Sequence, residues 1–231
     1  MLFLRLFVLG VSLSRFSVTC FVLKFRRKSD SYSETRRHRR SAIKMSSTPS
    51  LTSSTNKRIE WTIRPATPAD EEAVTALLTK SYETLLPQDY EQSLLDEALP
   101  LISKPRPDLL TCKTWYVVQD PTSNEIVGCG GWTKDSPTKD GEVPHLRHFA
   151  TDPSRTRQGI ARTIWNRIYA DVQEAFDGAT GIPEMEVYST ITAIPFYASL
   201  GFVRDRDVSI PLTPTCIFPS VLMRRKPRMT T

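Results

Sequence analysis

The loop before one helix-like segment has residues suited to binding an anion. Residues 152–165 read DPSRTRQGIARTIW, and the chain has only nine glycines among 231 residues. The first N–H groups of a helix are unpaired and carry partial positive charge, so phosphate binds there when the backbone can approach closely. Gly159 lacks the Cβ that would block such an approach, and Ala161 is small. Three arginines add positive charge: Arg155, Arg157 and Arg162. The pattern predicts a phosphate-bearing ligand, and the alternative is an ordinary helix start with solvated arginines.

Two other phosphate-binding classes are excluded. The chain has no GxxxxGK[ST] segment, which excludes a P-loop nucleotide hydrolase. GCGGWT at 128–133 begins like a dinucleotide fingerprint, but it ends on threonine and does not open a helix-like segment.

Titratable side chains precede the loop on a strand-like segment: Glu142, His145 and His148. An imidazole titrates near pH 6.5, so His145 could accept a proton at neutral pH; a strand histidine with an ordinary hydrogen bond is the competing interpretation. Positions 145 and 148 of a regular strand face opposite sides, so HxxH here does not predict a shared metal ion. Four scattered cysteines without a CxxC pair predict free thiols rather than zinc ligands or disulfides.

The elements that must position these residues follow the order β-α-α-β-β-β-α-β-α-β-β. This order fits neither a doubly wound sheet nor an all-β sandwich. A first helix is predicted over 67–86, with Thr67 and Asp70 as a capping box around Pro68. A second is predicted over 90–103, interrupted at Pro100. The helix after the loop has a buried face at four-residue steps: Ile160, Ile164, Ile168, Val172 and Phe176.

The N-terminal segment differs in composition from the rest of the chain. Residues 1–44 hold eleven Lys or Arg and two acids, a charge of +9 against +6 for the whole chain. The remaining residues are therefore mildly acidic, which argues against nucleic acid as a partner. Residues 1–25 are apolar with two internal arginines and fit a membrane anchor or a mitochondrial presequence. A third interpretation starts the protein at Met45, followed by a disordered Ser/Thr-rich linker over 45–59.

Residues 60–226 resemble the GNAT (Gcn5-related) N-acetyltransferase superfamily. Three segments carry the resemblance: RPATPADEEAVTALL, HLRHFATDPSRTRQGIARTIW and TAIPFYASLGF. The first is similar to the opening strand and helix, the second to the strand, pyrophosphate loop and helix, and the third to the helix and strand beside the pantetheine. The family loop is usually [Q/R]xxGx[G/A]. Gly159 and Ala161 match it, whereas Thr156 occupies the first position, flanked by arginines.

The resemblance implies an α+β fold: a mostly antiparallel twisted sheet flanked by helices, with a V-shaped splay between the fourth and fifth strands. It implies acetyl-CoA as co-substrate and no metal. The backbone of Phe149, Ala150 and Thr151 would polarise the thioester carbonyl. The loop and helix start would bind the pyrophosphate through Arg157, Gln158, Gly159, Ile160, Ala161 and Arg162. Thr192 stands near the position of a cofactor-binding asparagine in many members.

The implied chemistry is direct attack of an amine on the thioester in a ternary complex. Tyr197 matches the family's usual proton donor to the departing thiolate, and a core tyrosine is the alternative. His145 lies fourteen residues before Gly159, where some members place a catalytic carboxylate; Glu142 is the other candidate base. Segments 86–92 and 216–220 are candidate walls of the acceptor pocket.

The expected function is an N-acetyltransferase acting on a small-molecule or peptide amine. The alternatives are a CoA-binding module without turnover, and an anchored or basic-tailed interaction protein whose function lies in residues 1–44. A monomer or homodimer is expected in the cytoplasm or nucleus, with mitochondria as the alternative. A membrane is a partner only if residues 1–25 remain as an anchor.

Overall fold

The order of helices and strands is the one predicted. The protein is represented by a computed structural model that describes residues 59–138, 142–176 and 183–227. The helices are α1 (Glu71–Leu85), α2 (Gln92–Ile102), α3 (Ile160–Ala175) and α4 (Ile194–Ser199). The strands are β1 (Thr62–Pro65), β2 (Trp115–Gln119), β3 (Ile126–Asp135), β4 (Glu142–Thr151), β5 (Met185–Ser189), β6 (Val203–Pro211) and β7 (Ile217–Arg225).

These strands form one sheet in the order β1-β2-β3-β4-β5-β7-β6. Every neighbouring pair is antiparallel except β4 and β5, which are parallel. β4 and β5 share a single registered pair, His145 with Glu186. The predicted fold class, including the separation of the fourth and fifth strands, is confirmed. Beyond this pair, β4 therefore runs on to Thr151 with a registered neighbour on its β3 side only.

The two faces of the sheet carry separate hydrophobic cores. α1 and α2 cover one face through Val74, Leu78 and Leu95. α3 and α4 cover the other, and four of the five predicted α3 positions are buried there: Ile160, Ile164, Ile168 and Val172. Phe176 lies just beyond the helix and is half-buried.

The predicted start of the first helix is confirmed, and the predicted interruption of the second is wrong. Asp70 accepts the Thr67 N–H at 2.8 Å in a capping box, within a short 3-10 turn that leads into α1. α2 continues through Pro100 to Ile102. The helix ends two residues later, and its buried Leu95 and Ile102 hold it on the core, so the missing proline N–H is tolerated.

β4 contains a bulge immediately before its last residues. The register passes from Ala150 opposite Cys129 to Arg147 opposite Gly131, which leaves one extra residue on β4. His148 has a φ of 36° there. The Arg147 carbonyl accepts the Trp115 Nε1–H at 3.0 Å. Strand alternation does not hold across a bulge, so the predicted opposite orientation of His145 and His148 loses its basis.

The predicted anchor, presequence and linker of residues 1–58 lie outside the described residues. Within the part of the chain that the structure describes, no helix is both long and apolar enough to cross a membrane. The predicted domain boundaries at 60 and 226 enclose every element from β1 to β7.

Candidate active site

A cavity of about 540 Å³ opens at the N-terminus of α3. Its walls come from the end of β4, the loop, the first turns of α3 and the side of α4. The lining residues are Thr151, Arg155, Thr156, Arg157, Gly159, Ile160, Ala161, Arg162, Trp165, Asn166, Phe196, Ser199 and Leu200. Six of the predicted cofactor-binding residues line it: Thr151, Arg157, Gly159, Ile160, Ala161 and Arg162. Phe149, Ala150, Gln158 and Thr192 do not.

The loop backbone brings N–H groups to this cavity. Arg157 and Gly159 both have left-handed backbones, with φ of 65° and 89°. A Cβ added at Gly159 meets no atom within 4 Å, so the glycine faces open space. The Thr163 N–H, bonded to the Gly159 carbonyl at 2.9 Å, begins the helical hydrogen bonds. The preceding N–H groups of α3 are therefore available to an anion.

Three contacts from other elements hold the loop in place. The Trp61 indole Nε1–H donates to the Gln158 carbonyl at 2.9 Å. Lys80 on α1 pairs with Asp152 at 2.8 Å, and Arg155 pairs with Asp120 from the β2–β3 turn. No local sequence pattern predicts these contacts, because the partners lie 35 to 97 residues apart along the chain.

The loop arginines are not equivalent. Arg155, predicted to supply charge for the ligand, is already engaged by Asp120 and lies 3.6 Å from Glu125. Arg157 and Arg162 are exposed on the cavity wall. Neither pairs with a carboxylate of the described residues. Two uncompensated guanidinium groups and a helix N-terminus therefore face the same cavity.

The comparisons with known proteins agree with this geometry. Residues 111–204 match the model of the acetyltransferase (GNAT) domain. Comparison with curated protein sequences gives no match. The fold is similar to a GCN5-related N-acetyltransferase from Rhodopseudomonas palustris, with TM-score 0.53 and 18% identity over 71% of this chain and 94% of that one. It is also similar to the PaiA N-acetyltransferase from Thermoplasma acidophilum, solved with coenzyme A, with TM-score 0.53 and 13% identity over 72% and 99%.

This matched segment identifies a GNAT acetyltransferase domain within the chain. The matched range runs from the segment before β2 to the start of β6, so it contains the loop, α3 and α4. The acyltransferase class follows from this family. β1, α1 and α2 precede the matched range and belong to the same fold.

The GNAT tyrosine position is occupied by a fully buried side chain. Tyr197 makes edge contacts with Phe196 at 5.2 Å and with Phe202 at 5.7 Å between ring centroids. Tyr197 does not line the cavity, whereas its neighbours Phe196, Ser199 and Leu200 do. This position agrees with the core role predicted for Tyr197, and the acid role stays a prediction.

Thr192 also lies inside the domain. Only 8% of the residue is exposed, and its hydroxyl finds no hydrogen-bond partner among the described residues. A buried hydroxyl without a partner is uncommon, and a ligand or a water can satisfy it.

The candidate bases of β4 have different surroundings. His145 is wholly buried, and its Nδ1 lies 3.0 Å from Glu186 Oε1 on β5. Burial and then the nearby Arg147 charge lower the pKa of His145, the Glu186 carboxylate opposes them, and the resulting pKa is about 4. Burial likewise lowers the pKa of His148 to about 3. Glu142 begins β4, and its side chain lies outside the described residues.

The sequence analysis missed Glu186. Burial raises the pKa of Glu186, but hydrogen bonds from His145, Ser136 and Thr138 lower it overall to about 2. An acid between the apolar Met185 and Val187 is a signal that could have been noticed, since such a position requires a buried partner.

The two candidate walls of the acceptor pocket meet. Tyr90 of the first segment stacks on Phe218 of the second, with ring centroids 4.8 Å apart. The Tyr90 hydroxyl donates to the Pro219 carbonyl at 3.0 Å and accepts the Ile191 N–H at 2.8 Å. Tyr90 therefore joins the α1–α2 connection to β7 and to the turn before α4. No group of three or more potential metal ligands occurs among residues 59–138, 142–176 and 183–227.

Proposed function

We propose that the chain is an N-acetyltransferase that transfers the acetyl group of acetyl-CoA to a primary amine. The observation that carries the proposal is the cavity at the start of α3, where free N–H groups lie beside Arg157 and Arg162. A pyrophosphate offers two adjacent anionic groups, which suit such a combination. The coenzyme A complex of PaiA, a protein of the same fold, supports this ligand.

The end of β4 is suited to polarise the acetyl carbonyl. Residues 149–151 have β3 on one side and no registered strand on the other. A backbone N–H pointing into this gap can donate to the oxygen that becomes negative during attack. Thr151 lines the same cavity as the phosphate-binding loop, so the end of β4 and the loop can contact one ligand.

The remaining roles are proton transfers. A lysine-like acceptor has a pKa near 10.4 and must lose a proton before its nitrogen can attack. His145 is proposed to take that proton, because its imidazole is neutral at physiological pH. Tyr197 is proposed to protonate the departing thiolate. The buried Thr192 hydroxyl is proposed to bond the cofactor.

Acetyl-CoA is expected to raise the stability of the full chain, because a ligand that binds only the folded state stabilises it. At 100 times its dissociation constant the gain is about 2.7 kcal/mol. Thermal denaturation with and without millimolar acetyl-CoA measures the effect. The absence of any shift contradicts the cofactor assignment.

Turnover separates the proposed enzyme from a CoA-binding module. Release of free CoA from acetyl-CoA is measured against a panel of small amines, polyamines and peptides. Stabilisation by acetyl-CoA without turnover on any acceptor indicates the binding module. Turnover identifies the acceptor class.

Deletion of residues 1–44 is expected to leave acetyl transfer unchanged. Every residue given a role here lies between β4 and α4, far along the chain from this segment. The measurement is kcat and KM of the truncated chain beside those of the full chain. A soluble truncated chain without activity shows that the segment belongs to the fold or the site.

A further inference from the structure

A buried carboxylate, Glu186, lies beside the proposed base His145. The His145 and Glu186 side chains are both fully buried, and they face each other across the single registered pair that joins β4 and β5. His145 Nδ1 and Glu186 Oε1 are 3.0 Å apart. The contact therefore spans the junction between the two parts of the sheet, at the point from which the strands separate.

Glu186 is held in one orientation by groups from the β3–β4 connection and from β7. Its Oε1 accepts the Ser136 hydroxyl, and its Oε2 accepts the Thr138 hydroxyl at 2.6 Å. Arg224 Nη2 on β7 lies 3.7 Å from Oε2. A carboxylate satisfied in this way stays ionised, and an ionised carboxylate can only accept hydrogen bonds.

The ionised carboxylate fixes the proton on the histidine. Because Glu186 can only accept, His145 Nδ1 must carry the hydrogen of their bond. In a neutral imidazole, Nε2 then has the free lone pair. His145 Nε2 is buried and makes no hydrogen bond with any described residue. An oriented nitrogen with a free lone pair is the group that accepts the proton in general base catalysis.

We propose that Glu186 is a positioning residue that holds His145 as the Nδ1–H tautomer, so that Nε2 acts as the general base of acetyl transfer. The inference rests on the proposed function. His145 Nε2 takes one proton from the acceptor ammonium, directly or through one water. The neutral nitrogen attacks the thioester carbon, the N–C bond forms and the C–S bond breaks. The thiolate takes a proton from the Tyr197 hydroxyl. The second proton of the amine restores that hydroxyl, and the imidazolium returns its proton to solvent.

Several charged groups surround His145, and Glu186 is the one that also bonds to its ring. Arg147 on its own strand disfavours the imidazolium, and Asp135 on β3 favours it. Tyr188 on β5 contacts the ring edge-on at 5.2 Å between centroids. Among the residues that the structure describes, Glu186 alone both favours the imidazolium and accepts a hydrogen bond from the ring.

The first experiment measures the tautomer in the wild-type protein. The chain has three histidines, so long-range ¹H–¹⁵N spectra of histidine-labelled protein resolve each tautomer, and His145→Asn assigns the signals. His145 is expected as the Nδ1–H form at pH 7. An Nε2–H form overturns the proposal.

The second experiment compares Glu186→Gln with Glu184→Gln. Glu184→Gln also removes a carboxylate that lies next to Arg224, 2.6 Å away, whereas the carboxylate at His145 Nδ1 is that of Glu186. Glu186→Gln is expected to lower kcat at least about tenfold, to leave the acetyl-CoA dissociation constant unchanged and to mix the two tautomers. Glu184→Gln is expected to keep the wild-type kcat and tautomer.

The outcomes separate this inference from the proposed function. Wild-type inactivity on every amine contradicts the proposed function. Wild-type transfer with unchanged kcat and tautomer in Glu186→Gln contradicts only the role of Glu186. An equal loss in Glu184→Gln also overturns the inference, because charge alone then explains the effect. If Glu186→Gln does not fold, the tautomer of His145 in the wild-type protein still tests the inference.

Discussion

Gly159→Glu is expected to weaken acetyl-CoA binding at least about a hundredfold while the chain stays folded. The new carboxylate points into the cavity, where it displaces the pyrophosphate and repels it. Loss of two charge-assisted hydrogen bonds of about 1.5 kcal/mol each accounts for a change of this size. Because nothing lies within 4 Å of the added Cβ, no packing clash threatens the fold. Isothermal titration with acetyl-CoA measures the change.

Gly159→Ala is the matched control. Both substitutions force a side chain onto a backbone with φ of 89°, which costs about 1–2 kcal/mol of stability in either variant. Alanine adds neither length nor charge. Equal melting temperatures with very different affinities locate the effect in the cavity. Wild-type affinity in folded Gly159→Glu contradicts the assignment of the loop.

Tyr197→Phe is expected to slow acetyl transfer at least about tenfold, since general acids typically contribute 10²–10⁴-fold. The substitution keeps the ring that packs on Phe196 and Phe202, so α4 should stay in place. An interaction made only in the transition state lowers kcat and kcat/KM together. The acetyl-CoA dissociation constant should remain near the wild-type value.

Product release can limit turnover and hide a slower chemical step. The rate is therefore measured in a single turnover, with enzyme in excess over acetyl-CoA. If Tyr197→Phe transfers acetyl at the wild-type single-turnover rate, Tyr197 is a core residue, and the thiolate leaves without it.

Local sequence signals predicted the elements of this fold well. The four-residue steps of α3 and the capping box of Thr67 each depend on residues within one or two helical turns. The position of the cavity at Gly159 was likewise predicted from residues that are close together in the sequence. Pro100 was misjudged, because a lost N–H near a helix end costs less than the burial of Leu95 and Ile102 contributes.

The parts of the site that were not predicted depend on contacts distant in sequence. Arg155 reads as a ligand-binding cation until Asp120 is placed beside it. His145 reads as a lone histidine until Glu186, 41 residues later, becomes its partner. The bulge at His148 changes which side chains share a face, and a single residue in β4 gives no sign of it.

The single registered pair between β4 and β5 divides the sheet into two parts, β1–β4 and β5–β7. We call these parts panels, and we call the line between β4 and β5 the seam. Extended backbone pairing joins the strands within each panel, whereas the seam has one registered backbone pair. The buried contact of His145 with Glu186 crosses it, and the hydrophobic core that contains the apolar face of α3 also includes Val187 of β5. His145, the proposed base, and Glu186, which positions it, thus also join the two panels. A substitution at either residue is therefore expected to affect both proton transfer and the cohesion of the sheet.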